Sequence, residues 1–250
     1  MEYITSRKNS LISHIRKLTA DRAYRRASGE FLGDGTKLLE EAVRWNAPLT
    51  AVIASPGVPL PPVEGARRVE VPEDVMASVS PSKSPQGALF TARLPESTPP
   101  EKLIGDRWLV LDGLQDPGNV GTIWRTADAL GADGLILVNR CADPFSPKTV
   151  RATMGACFRL PVYEMEAEDL PGLLERSGLL LYAAALGENA ADVRKLDLSH
   201  AAVVVGSEGQ GVSSQVLEMC SGTLRIPMRD RCESLNAAAA AAIILWEMSK

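Results

Sequence analysis

The stretch WLVLDGLQDPGNVGTIWRTADALGADGLILV, residues Trp108 to Val138, holds two apolar runs separated by a helical segment. Its first strand ends at Asp112, QDPGN turns the chain, and a helix near 119–130 ends before Gly131, with Asn119 where a helix cap would sit. GLILV follows as a second strand. The alternation continues with a helix near 146–156, LLLYAA, AAVVVG, a short helix near 212–219, LRIP and an alanine-rich terminal helix. Nearly continuous apolar strands between helices predict a parallel sheet covered on both faces. This half therefore reads as doubly wound α/β, a fold that places ligands beyond the C-terminal ends of its strands.

Upstream the pattern is shorter and more mixed. Residues 8–27 read as a first helix, GEFLGDG as a strand and turn, TKLLEEAVRW as a helix, LTAVIAS and RRVEV as strands, PEDVMASV as a helix entry and QGALFTARL as a last strand. These predict a small α/β domain over residues 1–94. A linker spans 95–104, where PESTPPEK favours extended backbone, and the second domain spans 105–250.

The 250 residues carry a net charge of -4, which argues against a phosphate-binding surface distributed over the whole chain. The first 26 residues differ. Arg7, Lys8, Arg16, Lys17, Arg22, Arg25 and Arg26 outnumber Glu2 and Asp21, a local balance of +5 against -9 for the remainder. This arm is either a solvated helix or a surface for a polyanion. No apolar run reaches the roughly 20 residues of a bilayer-spanning helix, and no signal-peptide core opens the chain, so a cytoplasmic location without membrane attachment is expected. Cys141, Cys157, Cys220 and Cys232 match neither a zinc spacing nor a disulfide framework and read as reduced thiols, with no metal site expected.

Three strand ends then attract the functional reading. In the first, Gly121 and Arg125 share a helical face, and Arg125 can reach a phosphate or ribose or pair with Asp128. In the second, VVVGSEGQGVS, glycines at 206, 209 and 211 allow close backbone approach, yet there is no GxGxxG fingerprint and no phosphate-loop lysine; Glu208 can contact a ligand or fix the turn. In the third, LRIPMRDRCESLNAAAAAA, Ser234 or Asn236 can cap the last helix. Capping explains either residue singly. It does not explain why all three strand ends present Gly, Ser, Asn or Arg.

NVGTIWRTADALGA, VVVGSEGQG and LRIPMRDRCESLNAAAAAA, in that order, closely resemble the three motifs of the SpoU/TrmH-type RNA 2'-O-ribose methyltransferases of the SPOUT class. FSPKTVRATMGACFRLPVY is similar to the same family, and RRASGEFLGDGTKLLEEAV resembles its L30e-like substrate-binding domain. The resemblance implies an α/β fold with a trefoil-knotted C-terminal SPOUT sheet, an exception to the general avoidance of knots, and a smaller N-terminal L30e-like α/β domain. It also implies a homodimer with sites at the subunit interface, S-adenosyl-L-methionine as cofactor and RNA, most readily ribosomal RNA, as substrate. By motif position, Gly206, Ile226 and Leu235 would hold the cofactor through their backbone, with Met228 and Leu235 lining the adenine pocket. Asn119, Arg125, Glu208, Ser234 and Asn236 match the functional polar positions. Lys148, Arg151 and Thr153 are expected to contact RNA phosphates, with Arg25 and Arg26 adding RNA recognition from the N-terminal domain.

The residues are compatible with that chemistry. A ribose hydroxyl needs its proton withdrawn, whereas a sulfonium methyl is already activated, so alignment and a proton path are the main requirements. Neither His14 nor His200 lies in the three loops. Arg125 stays protonated and is expected to clamp a phosphate and orient the hydroxyl, with that phosphate or a water taking the proton. Transfer RNA as substrate and a non-catalytic RNA-binding protein on the same fold are the alternatives. Asp230 departs from the glycine usual between the IPM and ESLN pieces.

Overall fold

The computed structural model describes all residues except 1, 83, 188 and 230–233. Asp230 and Cys232 thus lie outside the described residues. The chain divides into two compact units, one of residues 1–95 with 145–158 and one of 96–144 with 159–250.

The first unit is a five-stranded mixed sheet in the order β1 (Glu2–Tyr3), β4 (Arg67–Glu70), β3 (Leu49–Ala54), β5 (Ala88–Arg93), β2 (Glu30–Asp34). The expected first helix is two, α1 (Ser10–Ala20) and α2 (Arg22–Ser28). Asp21 between them takes extended backbone at φ -123°, and its carboxylate accepts from the Tyr24 amide at 3.1 Å, restarting the helix. Alternation along the strands sorts side chains to two faces. Ile12, Ile15 and Leu18 of α1 bury against Leu32, Ile53, Val69 and Leu89. On the other face Phe31 meets Phe145 and Phe158, with ring centroids 5.2 and 6.3 Å away. Those two rings account for the membership of residues 145–158 in this unit, where α6 (Pro147–Thr153) packs on β2. Helices α3 (Thr36–Arg44) and α4 (Glu73–Ala77) complete it.

The second unit contains a seven-stranded sheet in the order β10 (Ala191–Asp192), β12 (Gly222–Arg225), β9 (Leu180–Ala184), β11 (Ala201–Gly206), β6 (Arg107–Asp112), β7 (Gly134–Val138), β8 (Val162–Glu164). Every neighbouring pair is parallel. On one face Trp108, Val110, Ile136 and Val204 bury against Leu170, Leu173 and Leu174 of α7 (Leu170–Ser177). The alternate residues Leu109, Leu111, Val203 and Val205 turn to the other face, and there α5 (Pro117–Ala129) packs on β7 while α9 (Ala237–Met248) packs on β11 and on α5. Helix α8 (Ser214–Glu218) follows the loop after β11. Strands β6 and β11 lie side by side with Gly206 opposite Asp112, so the chain leaves both at the same edge. Among the described residues, no helix is long and apolar enough to cross a membrane.

Candidate functional site

Helix α5 does not start at Asn119. Asp116 is its cap, its carboxylate accepting from the amides of Gly118 and Asn119, and Pro117 occupies the first helical position, where a missing N–H costs nothing. The Asn119 side chain is thereby released for another contact: its Nδ2 donates to Glu208 Oε1. Asn236 caps α9, its Oδ1 accepting from the amides of Ala238 and Ala239 at 3.0 and 3.3 Å. Its Nδ2 donates to Glu208 Oε1 at 2.8 Å and to Asn119 Oδ1 at 3.3 Å. One polar residue from each of the three strand-end segments therefore meets at a single carboxylate.

Beside this triad lies a cavity of about 410 Å³, inside the roughly 300–1,000 Å³ range of small-molecule sites. Gly206, Ile226, Met228 and Leu235, the four residues expected to hold a cofactor, all line it, together with Glu208 and Ser234. Its remaining wall includes Leu186, Gln210, Leu217 and Ala240. The mouth is partly apolar, since Leu186 is 66% exposed. The lining combines apolar side chains with main-chain edges, a fit for an adenine ring and for a ligand whose polar groups are read by backbone.

Gly206 shows why the backbone comes so close. A Cβ there would fall under 3.0 Å from Gly211 C, Gly211 O and Val212 N, all backbone atoms. Across the same turn, the amide of Ser207 donates to Gly211 O at 3.1 Å and the amide of Gly211 to Ser207 O at 2.8 Å. Only glycine fits at 206 without opening that turn.

Arg125 is exposed on α5 and has no hydrogen bond or ion pair among the described residues. Asp128, its alternative partner one turn on, is engaged by Arg159 Nε at 2.8 Å. Arg125 does not line the cavity and does not touch the triad.

The expected RNA contacts all fall in the first unit, and two of them face inward. Arg25 is 5% exposed and donates to the Leu18 carbonyl, because α2 folds back on α1. Thr153 is fully buried, with its hydroxyl donating to Val150 O at 2.7 Å. The expectation that these two side chains contact RNA is set aside. Arg26, Lys148 and Arg151 are exposed. Burial pushes the Asp34 carboxyl above its ordinary range, partly offset by the Arg151 charge and a hydrogen bond with Ser80.

Two features escaped the sequence reading. The cavity wall at Ala184, Ala185 and Leu186 reads only as the end of an apolar strand. Asp112, 3% exposed, reads as a strand terminus, yet its Oδ1 accepts from Asn139 Nδ2 and its Oδ2 from the Ser213 amide, both at 2.7 Å. A polar residue at the end of an apolar strand was the available signal. Cys141 and Cys220 are free thiols, as the reading of reduced cysteines expects, and burial pushes both up to about 11. Among the described residues no cluster of His, Cys, Asp or Glu could hold a metal.

A ligand cavity at the C-terminal edge of a parallel sheet, walled by main chain and edged by an Asn–Glu–Asn cluster, defines an α/β domain built to hold a small organic cofactor. Residues 106–246 match the model of the SpoU rRNA methylase family, and residues 9–89 match that of the MRM3-like substrate-binding domain. The chain belongs to the SpoU rRNA methylase family. It is 33% identical to the Bacillus subtilis (strain 168) 23S rRNA (guanosine(2553)-2'-O)-methyltransferase RlmP, over 99% of both chains. Its fold is similar to that of the AdoMet-bound rRNA methyltransferase from Sinorhizobium meliloti, with a TM-score of 0.86, 31% identity, and 99% and 97% of the two chains covered. It is also similar to the SpoU methyltransferase AviRb from Streptomyces viridochromogenes in complex with AdoMet, with a TM-score of 0.85, 26% identity and 97% of each chain covered.

Proposed function

We propose that the cavity at Gly206, Ile226, Met228 and Leu235 is the S-adenosylmethionine site and that the substrate is ribosomal RNA. The enzyme is an S-adenosylmethionine-dependent RNA 2'-O-ribose methyltransferase. The carrying observation is that four residues from two separated loops, singled out for cofactor binding by motif position, line one cavity beside the Asn119–Glu208–Asn236 cluster. The bound cofactor supplies an electrophilic methyl group on a sulfonium.

The chain's own residues align the ribose hydroxyl and provide its proton a path to an acceptor. Glu208, fixed by two amide donors to Oε1, orients the loop and offers Oε2 to a donor from the substrate. Ser234 sits at the cavity wall with a hydroxyl for the ribose or for the methionine portion of the cofactor. Arg125, without a partner among the described residues, clamps an RNA phosphate, and that phosphate or a water accepts the ribose proton, since a guanidinium cannot. Arg26, Lys148 and Arg151 supply phosphate contacts from the first unit. Residues 1–94 form the substrate-binding domain, 95–104 the linker and 105–250 the methyltransferase domain, apart from 145–158, which belong to the first compact unit.

The site functions in a homodimer. Helix α9 is apolar at every position but Glu247, and so apolar a helix is ordinarily buried nearly all round. Here Ile243 is 37% and Trp246 57% exposed, with Ala239 on the same side, so a second copy covers this face. The packing of α9 on α5 and β11 is compatible with the knotted threading that the motifs imply. The location is the cytoplasm.

The deciding experiment is labelled-donor methylation of total RNA from a strain lacking the gene, followed by nucleoside mass spectrometry and mapping. Label in one ribose of ribosomal RNA is expected; label confined to transfer RNA, or to a base, would overturn the substrate assignment.

A further inference from the structure

We propose that Asp112 is a positioning residue, a clasp that closes the 206–213 loop and so sets the shape of the cofactor cavity. Its backbone is the ladder partner of Gly206, where that loop begins. Its side chain grips the other end: Oδ2 accepts from the Ser213 amide at 2.7 Å. One residue thus holds both ends of a segment that contributes Gly206, Ser207, Glu208, Gln210, Gly211 and Val212 to the cavity wall.

The clasp is buttressed on its far side. Asn139 Nδ2 donates to Asp112 Oδ1 at 2.7 Å and to Ser213 Oγ at 3.2 Å, joining the exits of β6, β7 and β11. Asn139 and Arg140 adopt left-handed backbone at φ 54° and 56°, a conformation unfavourable outside glycine that persists where the surroundings hold it. Gln115 holds it from the β6 side, its Nε2 donating to Arg140 O at 2.7 Å and Gly113 O at 3.2 Å. A buried carboxylate is a costly way to end a strand. Here it supplies two acceptor oxygens to two donors that no apolar side chain could satisfy. Asp112 also leads directly into the turn that carries Asn119 to Glu208, so a shift at the clasp moves two of the triad's three members.

The proposal rests on the reading of the cavity as the S-adenosylmethionine site, and the test separates the two. Cofactor affinity is measured by calorimetry on the full chain, with thermal stability followed in parallel. Ser213 has φ -62°, which proline adopts, so Ser213→Pro removes the gripped N–H while Ser213→Ala removes only the hydroxyl. Loss of a hydrogen bond to a charged group predicts that Ser213→Pro binds the cofactor roughly tenfold to a hundredfold more weakly than Ser213→Ala. Asp112→Leu should show a similar loss, expressed in cofactor affinity more than in kcat at saturating cofactor. Asp112→Asn should stay within about threefold of wild type, because its carbonyl still accepts from Ser213 and the Asn139 amide can turn to accept from its NH₂.

Equal affinity in Ser213→Pro and Ser213→Ala overturns the clasp, as does an Asp112→Leu protein that melts earlier but binds normally. If Asp112→Leu does not fold, the two Ser213 variants decide. Failure of the wild-type chain to bind S-adenosylmethionine would instead remove the cofactor-site reading, and the clasp with it.

Discussion

Replacing Gly206 by alanine tests the cradle most directly. The added Cβ would lie under 3.0 Å from backbone atoms of Gly211 and Val212, whereas carbon contacts settle near 3.5–4.0 Å, so backbone must move by on the order of 1 Å. That movement is opposed at both ends, by the paired Ser207 and Gly211 hydrogen bonds of 3.1 and 2.8 Å and by the Ser213 amide on Asp112. Overpacking costs about 1–3 kcal/mol and losing one of the paired bonds about 0.5–1.5 kcal/mol, which together centre near 3 kcal/mol. Two limits follow. If the folded protein carries the strain, its Tm falls by about 6–12 °C at roughly 2–4 °C per kcal/mol. If the loop opens instead, the strain returns on binding and the S-adenosylmethionine Kd rises by about a hundredfold. Calorimetry and thermal denaturation on the same preparation measure both. Gly209→Ala is the control, since a Cβ there meets nothing within 4 Å among the described residues and the residue lacks a positive φ. A Gly206→Ala protein with Tm within about 2 °C and affinity within about twofold of wild type would refute the reasoning.

Other perturbations separate roles that share a residue. Asn236→Ala loses the α9 cap and should destabilise by about 0.5–2 kcal/mol, whereas Asn236→Asp keeps the cap but sets a carboxylate against Glu208; thermal melts near wild type with methyl transfer reduced at least about tenfold are expected for the aspartate variant. Arg125→Ala should lower turnover far more than cofactor affinity in steady-state assays, and equal loss of both would remove the clamp. In filter binding, Arg151→Ala or Lys148→Ala should weaken RNA affinity and flatten its dependence on log salt by about 0.9 or less per phosphate contact, while Arg25→Ala should lower Tm because its guanidinium is buried on Leu18 O. Cys141 and Cys220 have thiols raised by burial from an ordinary value of 9.0 to about 11. Burial disfavours the thiolate, so their contribution to stability is present below pH 9.0 and lost as pH climbs toward about 11. Denaturant midpoints across that window check the sign, and Cys141→Ala/Cys220→Ala should flatten the slope.

The long apolar strands β6, β7, β9 and β11 were legible because burial on both faces leaves an unbroken run of Val, Leu, Ile and Ala. Strands β1, β8 and β10 were not, since two or three residues carry no period. The break at Asp21 and the cap at Asp116 had local signals, an acidic residue before a helical run and an Asp-Pro pair, which lost to the longer helical pattern and to the more familiar asparagine cap. Arg25 and Thr153 misled for a tertiary reason: residue type predicts the surface, but a helix folded back on its neighbour buries whatever it carries. The Asn119–Glu208–Asn236 cluster could not be read from spacing, with 89 and 28 residues between partners. Its members were reachable only through motif resemblance.

The sheet explains why those three residues meet. Parallel strands release the chain at one edge, and because β6 and β11 are neighbours with Asp112 opposite Gly206, Asn119 and Glu208 emerge side by side. Asn236 arrives differently, from a helix that packs on α5 and β11. Its one amide performs two tasks, Oδ1 starting α9 and Nδ2 reaching Glu208 and Asn119. A displacement of α9 is therefore a displacement of the Glu208 carboxylate. In the proposed homodimer the exposed side of that same helix, at Ala239, Ile243 and Trp246, carries the subunit contact. Subunit pairing and the alignment of the methyl acceptor then depend on one twelve-residue helix, so charges placed on its exposed face at Ile243 or Trp246 should impair catalysis and assembly together.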